Sequence, residues 1–299
     1  MPTHPILHYL STRFRLLACL SLAALLIGQL GNLFWFAELF SHFLPYYAVC
    51  FLLAACTARG IFRYLWPVCF LLSLIWLAYP YQLSHTTNSK QKPSWTLLWY
   101  NVHLDNPNPL AEIGLIHTQQ PDIIALAELN RSTTGWQKLL SAYPYGCEHA
   151  EDHSPFSLFV RARSPFKNCE VQTIDDIPYI RAVLNDQTVI YALHPPPPIN
   201  DELARTRRLY LEQTATRIAA ESNVLVVGDL NSSQFSPLFR QFTDAAALQS
   251  ALSGYTPTWK PFGLNIDHVL YRSRYGHTPR VLPQPWQHSD HRALLAEWY

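Results

Sequence analysis

The N-terminal third of the chain carries almost no charge, and this limits its possible folds more than any other feature. Residues 16–82 hold three charged side chains: Glu38, Arg59 and Arg63. Three mostly apolar runs follow one another there: 16–37, 39–57 and 64–83. Runs of this length can cross the hydrocarbon core of a bilayer as helices. We therefore predict three transmembrane helices in residues 1–83, with a hairpin plus one peripheral helix as the alternative.

Basic residues beside these runs predict how the protein is oriented in the membrane. Arg13 and Arg15 precede the first run, while Arg59 and Arg63 lie between the second and the third. The positive-inside rule then puts the N-terminus in the cytoplasm, and three spans put the C-terminal part across the membrane. Two lysines after the third run argue weakly for the reverse. In a bacterium, the prediction is a multi-pass inner-membrane protein with a periplasmic domain.

The remainder of the chain differs in composition and in charge. Residues 84–94 form a polar stretch without periodicity, which predicts a linker. We predict a folded domain over 95–299. Residues 94–299 carry 16 Lys and Arg against 20 Asp and Glu, a net charge of −4 with His neutral. Such a domain attracts polyanions poorly, which weighs against nucleic acid as a partner.

The second domain combines many short apolar strands with few helices. Runs such as "WTLLWYN", "DIIALA" and "NVLVVGD" are typical of buried strands, and "DELARTRRLYLEQTATRIAAES" predicts an amphipathic helix. Prolines number 23 in the chain and favour long loops between strands. The pattern predicts an α+β fold or an α/β/α sandwich.

Two of the six cysteines, Cys147 and Cys169, lie in this domain. In an oxidising compartment they could pair, but two unrelated thiols fit the sequence equally well. The chain has no CxxC pair and no Cys/His spacing of the zinc-binding type, so a structural zinc site is excluded.

Polar residues stand at the ends of the apolar strands in six separate segments of the domain. These residues are Asn101, Glu128, His194, Asp229 with Asn231, Asp267, and the closing Ser289, Asp290 and His291. Any one of them alone is better explained as a turn or cap residue. Together they suit a metal-assisted hydrolytic centre, because carboxylate and amide oxygens bind hard ions and His beside Asp can transfer protons near neutral pH.

In order along the chain, "YNV", "ALAELN", "ALH", "GDLNSS", "IDHVLYR" and "SDHRALL" resemble the motifs of the endonuclease/exonuclease/phosphatase superfamily. The resemblance spans about residues 95–299, and the membrane-anchored arrangement is similar to a bacterial branch of that superfamily. It implies the DNase I-like four-layered α/β/β/α sandwich, here preceded by three transmembrane helices.

The resemblance also implies a metal site for Mg²⁺ or Mn²⁺. Three residues would hold or adjoin the ion: Asn101, Glu128 and Asp290. Glu128 would be the principal ligand. Some relatives have an acidic residue two positions after the asparagine, where this chain has His103. His103 either touches the metal or simply faces the cleft.

Five further residues match the family's catalytic positions: His194, Asp229, Asn231, Asp267 and His291. The resemblance implies that Asp229 orients or deprotonates the attacking water and that Asn231 binds the phosphate. His291 would contact a phosphate oxygen and transfer a proton, with Asp267 orienting its ring. His194 would be the second catalytic histidine that some branches have.

Other polar residues near these motifs are expected to be structural. His268 follows Asp267 directly and should face the opposite side of its strand. The run "HPPPP" predicts a rigid spacer that leads into the helix at Asp201. Arg205, Arg207 and Arg208 are expected on a solvated helix face rather than at a phosphate site.

The resulting expectation is a membrane-anchored, metal-dependent phosphoesterase, most simply a phosphodiesterase that works by in-line attack of water. A phospholipid headgroup or small phosphodiester is slightly favoured as the substrate. Two alternatives remain: a nuclease acting on nucleic acid, and an inactive module that binds a phosphate ligand or a protein partner.

Overall fold

The computed structural model of the chain describes residues 5–78, 92–106, 108–151 and 153–299. It divides into two compact units. The helical unit comprises Met1–Gln82 together with Gln234–Arg240 and Ser253–Tyr255, and the second unit comprises Leu83–Ser233, Gln241–Leu252 and Thr256–Tyr299. The predicted linker at 84–94 falls mostly outside the described residues, so the boundaries at 83 and 95 stay predictions.

The helical unit is built from apolar helices. They are α1 (Pro5–Gly28), α2 (Trp35–Glu38), a 3₁₀ helix (Leu39–Phe43), α3 (Leu44–Thr57) and α4 (Phe62–Ala78). In the described part, two stretches are long and apolar enough to span a membrane, Tyr9–Gly28 and Trp35–Thr57. The apolar helix α4 has 17 residues, and the predicted third run continues into residues outside the described part. The number of spans therefore stays a prediction.

The predicted extent of the first membrane run, 16–37, is wrong. Helix α1 ends at Gly28, and the chain turns before α2 begins at Trp35. A Cβ atom at Gly28 would lie 2.7 Å from the backbone nitrogen of Ser41, so the helix end packs directly on the next segment of backbone. Leu30, Leu33 and Phe34 lie in the turn. Because they are apolar, the hydropathy of the sequence does not show where the helix ends.

The second unit contains two six-stranded sheets. The first has the order β11-β12-β1-β2-β4-β3, and the second β5-β6-β7-β8-β10-β9. The strands are β1 (Trp95–Asn101), β2 (Ile123–Ala127), β3 (Tyr145–His149), β4 (Leu158–Ala162), β5 (Asn168–Ile174), β6 (Ile177–Val183), β7 (Val189–Leu193), β8 (Asn223–Asp229), β9 (Gln249–Ser250), β10 (Asp267–Ser273), β11 (Arg280–Pro283) and β12 (Leu294–Trp298). Each sheet has one parallel pair, β1 with β2 and β7 with β8, among antiparallel neighbours. The α+β prediction is confirmed.

The described residues of the remaining chain also form the α-helices α5 (Leu110–Gln119), α6 (Trp136–Ser141), α7 (Asp201–Ala219) and α8 (Pro237–Ala245), and a short 3₁₀ helix (Pro261–Gly263). Asn200 caps the N-terminus of α7, because its side chain accepts from the amide of Leu203, and the first turn of the helix has acidic residues. Its Tyr210 donates to the carbonyl of Pro178 at the start of β6, so α7 lies against the second sheet.

Apolar layers hold this unit together. One lies between the sheets and includes Leu97, Trp99, Val160, Ile180 and Val227. Another lies between the first sheet and the helices α5 and α6. Because both faces of the central strands are covered, β1, β2, β7 and β8 are continuously apolar rather than alternating.

Cys147 and Cys169 form a disulfide, with 5.8 Å between their Cα atoms. Cys147 lies in β3, at the edge of the first sheet, and Cys169 lies in β5, at the edge of the second. The bond therefore links the edges of the two sheets. The sequence left this pairing open.

Candidate active site

The polar strand-end residues meet at one edge of the two sheets. The parallel register of β1 and β2 places Asn101 beside Glu128, which directly follows β2. In the second sheet, Asp229 at the end of β8 lies opposite Asp267 at the start of β10. His194 follows β7, whose parallel pairing with β8 brings it to the same edge. The topology thus brings together residues that are far apart in the chain.

His291 lies between two buried aspartates. Its Nδ1 atom is 2.8 Å from Oδ2 of Asp267, and its Nε2 atom is 3.6 Å from Oδ2 of Asp229. The indole nitrogen of Trp99 donates to Oδ1 of Asp267 over 2.9 Å, and the Asp267 amide donates to the hydroxyl of Thr258. Asp267 is thereby fixed in one orientation, and Nε2 of His291 is left facing Asp229.

The charges in this group shift each other's protonation. Burial would lower the pKa of His291, but Asp267 first and Asp229 next outweigh it and raise that pKa to about 10. Burial raises the pKa of Asp229 to about 7, with Asp267 adding to the rise and His291 opposing it. At neutral pH His291 is therefore a cation, while Asp229 exchanges its proton close to neutral pH.

Asn101 connects the two sheets at the site. Its Nδ2 atom donates to Oε1 of Glu128 over 2.8 Å and to Oδ2 of Asp229 over 3.2 Å. Its Oδ1 atom accepts from the amide of His103, and the Leu104 amide donates to Oε2 of Glu128. Asn101 therefore fixes the separation of two carboxylates that like charge would drive apart.

His194 completes the group from the second sheet. It is buried, with Nε2 3.6 Å from Oε1 of Glu128. Burial lowers its pKa, against the opposing effect of Glu128, so the ring is neutral. Its Nδ1 atom is buried and accepts or donates no hydrogen bond among the described residues.

Glu128, His194 and Asp229 fit a divalent ion. Each offers one ligand atom within 4.8 Å of the other two. Two carboxylates suit Mg²⁺ or Mn²⁺, and a neutral imidazole is the form of histidine that binds metals. Asp229, Asp267 and His291 are equally close. In that second set, Nδ1 of His291 lies 2.8 Å from Oδ2 of Asp267, so the ring is paired with that carboxylate.

Asp290 lies beside this group. Its Oδ2 atom accepts from the indole nitrogen of Trp259 over 2.8 Å. Its Oδ1 atom is buried without a hydrogen bond in the described part, 3.3 Å from Nδ1 of His103 and 4.0 Å from Nε2 of His291. His103 in turn lies 3.9 Å from Oε2 of Glu128, so its ring bridges the two acids.

Asn231 is held from three directions. Its amide donates to Oδ1 of Asp229 over 2.9 Å, and its side-chain nitrogen donates to the carbonyl of Pro195 over 3.0 Å. Arg207 donates to the Asn231 carbonyl over 2.5 Å. The expectation that Arg207 lies on a solvated face is wrong, because Arg207 is 1 % exposed. The proline run also does more than space the chain, since its first carbonyl binds Asn231.

His268 supports the next residue of the same loop. Its Nε2 atom lies 2.8 Å from the carbonyl of Ser232, and burial lowers its pKa to about 4. The ring is therefore neutral and donates its proton to that carbonyl. This position agrees with the structural role predicted for it.

A buried glutamate that the sequence did not single out supports the last motif. Glu112 in α5 is fully buried and accepts from the amides of His288 and Ser289. The hydroxyl of Ser289 donates to the carbonyl of Asn101 and accepts from the amide of His291. The burial of Glu112 could not be predicted from the sequence, because one acidic residue does not alter the apolar periodicity of α5.

Three residues around the site have a left-handed backbone although none is glycine. They are His103 (φ 60°), Glu128 (φ 59°) and Asn231 (φ 48°). Such conformations are uncommon outside glycine and asparagine, and they concentrate at functional sites. Here each one turns the chain sharply at a strand end and directs a side chain into the same space.

Residues 98–291 match the model of the Endonuclease/Exonuclease/phosphatase family. No curated protein matches the chain in sequence.

Solved structures share the fold at low sequence identity. The catalytic domain of human Nocturnin aligns with a TM-score of 0.56 at 16 % identity, covering 70 % of this chain and 95 % of that one. Sphingomyelinase C from Streptomyces griseocarneus gives 0.53 at 19 %, covering 69 % and 99 %. The 3'-5' exonuclease from Neisseria meningitidis gives 0.51 at 17 %, covering 68 % and 99 %.

Proposed function

Because the chain belongs to the endonuclease/exonuclease/phosphatase family, we propose that it is a membrane-anchored, metal-dependent phosphoesterase that hydrolyses a phosphodiester. The observation that supports the proposal is a buried row of contacts in which His291 lies between Asp267 and Asp229. Asn101 connects this row to Glu128, because it donates to both Asp229 and Glu128. Burying charged groups is costly, and groups with shifted pKa values cluster at functional sites; four ionisable groups meet here.

The residues have separate tasks in this proposal. Asp229 takes a proton from the attacking water, for which a pKa near 7 is well suited. His291 is protonated and faces the phosphoryl oxygens, where its charge stabilises the developing negative charge. Asp267 keeps the ring in place. Asn231 hydrogen-bonds the phosphate, and Arg207 and the Pro195 carbonyl hold Asn231 for that purpose.

The ion, Mg²⁺ or Mn²⁺, is held by Glu128, with Asp290 and Asn101 as the further contacts that the family resemblance implies. The geometry adds His194 and Asp229, whose ligand atoms lie close to those of Glu128. When bound, the ion neutralises charge on the phosphoryl oxygens. The orphaned Oδ1 atom of Asp290 and Nδ1 atom of His194 are both available for a ligand or a water.

The domain of residues 95–299 is proposed to act outside the cytoplasm, anchored by the helices of residues 1–83. The disulfide between Cys147 and Cys169 supports this, because disulfides persist in oxidising compartments such as the periplasm. The arginines before α1 and between α3 and α4 support a cytoplasmic N-terminus.

The substrate proposed is a phospholipid headgroup or a small phosphodiester. The anchor holds the domain near a bilayer, and the net negative charge of residues 94–299 disfavours a polyanion. Structural neighbours include both a sphingomyelinase and an exonuclease, so nucleic acid is the competing substrate class.

The test uses the full chain purified in detergent. Bis(p-nitrophenyl) phosphate, the corresponding monoester, plasmid DNA and mixed phospholipid vesicles are each supplied with Mg²⁺, with Mn²⁺ or with EDTA. Hydrolysis that needs metal and is lost in Asp229→Asn but kept in Asp244→Asn supports the proposal. Asp244 is the matched control because it is an exposed aspartate on α8. Metal binding without turnover of any substrate would favour the binding-module alternative.

A further inference from the structure

One fully buried acid of the second unit has no task in the proposed chemistry. Glu112 lies on α5, and its Oε1 atom accepts from the amides of His288 over 2.8 Å and of Ser289 over 2.7 Å. The hydroxyl of Tyr100 donates to the same atom over 3.4 Å. Tyr100 is in β1, and the two amides belong to the segment before β12. Glu112 therefore joins α5 to two segments that each lead to a residue of the site.

Those two site residues, Asn101 and His291, lie past the last pair of the ladder between β1 and β12. The pairing of these strands ends at Trp99 with Leu294. Beyond it, the hydroxyl of Ser289 donates to the carbonyl of Asn101 over 2.8 Å and accepts from the amide of His291 over 3.0 Å. A side chain thus continues the connection between the two backbones where the pairing of β1 with β12 stops.

The distance between these backbones affects the site because Asn101 and His291 contact the same oxygen. Nδ2 of Asn101 is 3.2 Å, and Nε2 of His291 is 3.6 Å, from Oδ2 of Asp229. Asp267 sets the orientation of the His291 ring through Nδ1, whereas Ser289 sets the distance from one backbone to the other. A displacement of about 1 Å at a catalytic group can cost about 100-fold in rate, even though the group itself is still present.

We propose that Glu112 and Ser289 are positioning residues for this reaction. Glu112 holds the segment before β12 against the end of β1, and the hydroxyl of Ser289 keeps Asn101 and His291 at the spacing that the reaction at Asp229 requires. The effect on turnover rests on the proposed function, whereas the effect on the position of His291 does not. The helix α5 contributes to the site in this way through one buried acid.

The test uses the full chain purified in detergent and two pairs of variants. Ser289→Ala removes the bridging hydroxyl, and Ser289→Thr restores it. Glu112→Leu removes the acceptor of the two amides, and Glu112→Gln keeps an acceptor oxygen. The matched control is Thr214→Val, because Thr214 is fully buried and its hydroxyl bonds within α7 to the carbonyl of Tyr210. Urea unfolding identifies the variants that fold, and Ser289→Ala keeps the test decisive if Glu112→Leu does not fold.

Two properties of the folded variants are measured. NMR of protein labelled with nitrogen-15 in histidine follows the Nδ1 proton of His291, which lies in the 2.8 Å contact with Asp267 and is assigned by its loss in His291→Gln. Steady-state kinetics with bis(p-nitrophenyl) phosphate and Mn²⁺ gives kcat and KM separately. A role limited to stability would lower the unfolding free energy and leave both properties unchanged in the folded protein.

We expect Ser289→Ala and Glu112→Leu to speed the exchange of the Nδ1 proton with water by about tenfold or more. We also expect them to lower kcat about tenfold while KM changes less than about twofold. Ser289→Thr, Glu112→Gln and Thr214→Val should resemble the unmodified chain in both properties.

Three results would overturn the proposal: an unchanged kcat in folded Ser289→Ala, an unchanged exchange rate of the His291 proton in that variant, or an equal loss of kcat in Thr214→Val. Loss of kcat in Glu112→Gln equal to that in Glu112→Leu would overturn the part assigned to Glu112, because an acceptor oxygen is still present. Absence of turnover in the unmodified chain would refute the proposed function alone, since the NMR comparison still tests the position of His291.

Discussion

The ring of His291, which comes just before β12 of the first sheet, lies 2.8 Å from the carboxylate of Asp267 on β10 of the second sheet. The pair therefore forms only when the two sheets are packed together. Because burial lowers the pKa of the ring while Asp267 and Asp229 raise it to about 10, the charge state of the site depends on this packing.

Replacing Asp267 with Asn should shift the alkaline limit of activity. Without the charge of Asp267, burial dominates and the pKa of His291 falls from about 10 toward or below its ordinary value. The ring then loses its proton at neutral pH, and we expect kcat to fall roughly 100-fold. The pH dependence of kcat/KM and an NMR titration of the His291 ring measure both effects.

The same pair makes stability depend on pH in a defined direction. A histidine whose pKa is raised by folding binds a proton that the unfolded chain releases. Its stabilising effect is complete below pH 6.5 and is lost as the pH rises through about 10. Urea unfolding should show this decline in the unmodified chain and a smaller one in Asp267→Asn. An equal decline of the unfolding free energy in both proteins would show that the pair of His291 and Asp267 does not cause the pH dependence.

Replacing Glu128 with Gln should remove metal binding. The Oε1 atom of Glu128 lies 3.6 Å from Nε2 of His194, so this carboxylate is central to the group that can hold an ion. We expect the affinity for Mn²⁺, measured by isothermal titration calorimetry, to fall about 100-fold or more, since even supporting residues of metal sites contribute 10–100-fold. Glu202→Gln, an exposed acid on α7, should bind Mn²⁺ normally. An unchanged Mn²⁺ affinity in Glu128→Gln would show that the ion binds at another site.

Replacing Arg207 with Met should weaken both the fold and the site. The change keeps the length of the side chain but leaves the carbonyl of Asn231 without its donor, which costs about 2 kcal/mol of unfolding free energy. We also expect a higher KM for the phosphoester, because Asn231 is no longer fixed. The control is Arg205→Met on the same helix, whose exposed ion pair with Asp201 contributes less than about 1 kcal/mol. Similar losses in the two variants would contradict the account.

Removing the disulfide should destabilise residues 95–299 while leaving the site intact. The bond closes a loop between positions 22 residues apart, which corresponds to about 3 kcal/mol in the chain-entropy description. We expect the double variant Cys147→Ser, Cys169→Ser to unfold at lower urea concentration, with the change cancelled when both proteins are reduced. Cys56→Ser, an exposed free thiol, is the control. A non-reducing gel of thiol-labelled protein tests the bond itself.

The strands and the site-lining residues were accessible from the sequence for one physical reason. Strands covered on both faces are continuously apolar, so the first polar residue after each run marks the end of a strand. Asn101, Glu128, His194 and Asp229 were found in this way, and the structure brings them together with Asp267, which starts its strand.

Residues that support the site from a helix were harder to predict. Arg207 and Glu112 are polar residues on amphipathic helices, and such helices normally turn polar residues to the solvent. In the folded chain Arg207 donates to one backbone carbonyl and Glu112 accepts from two backbone amides, and these hydrogen bonds compensate for the burial of both side chains. The left-handed backbone at Glu128 likewise has no local signal, because glutamate does not favour that conformation.

The most direct test of the central claim compares two histidines of the same segment. His291 lies between Asp229 and Asp267, whereas His288, three residues earlier, is exposed. Hydrolysis of bis(p-nitrophenyl) phosphate is measured with the full chain and Mn²⁺, for the unmodified protein, His291→Gln and His288→Gln. The account predicts metal-dependent turnover that falls at least about 100-fold in His291→Gln and is unchanged in His288→Gln. Turnover that persists in His291→Gln, or that continues at full rate in EDTA, would contradict it.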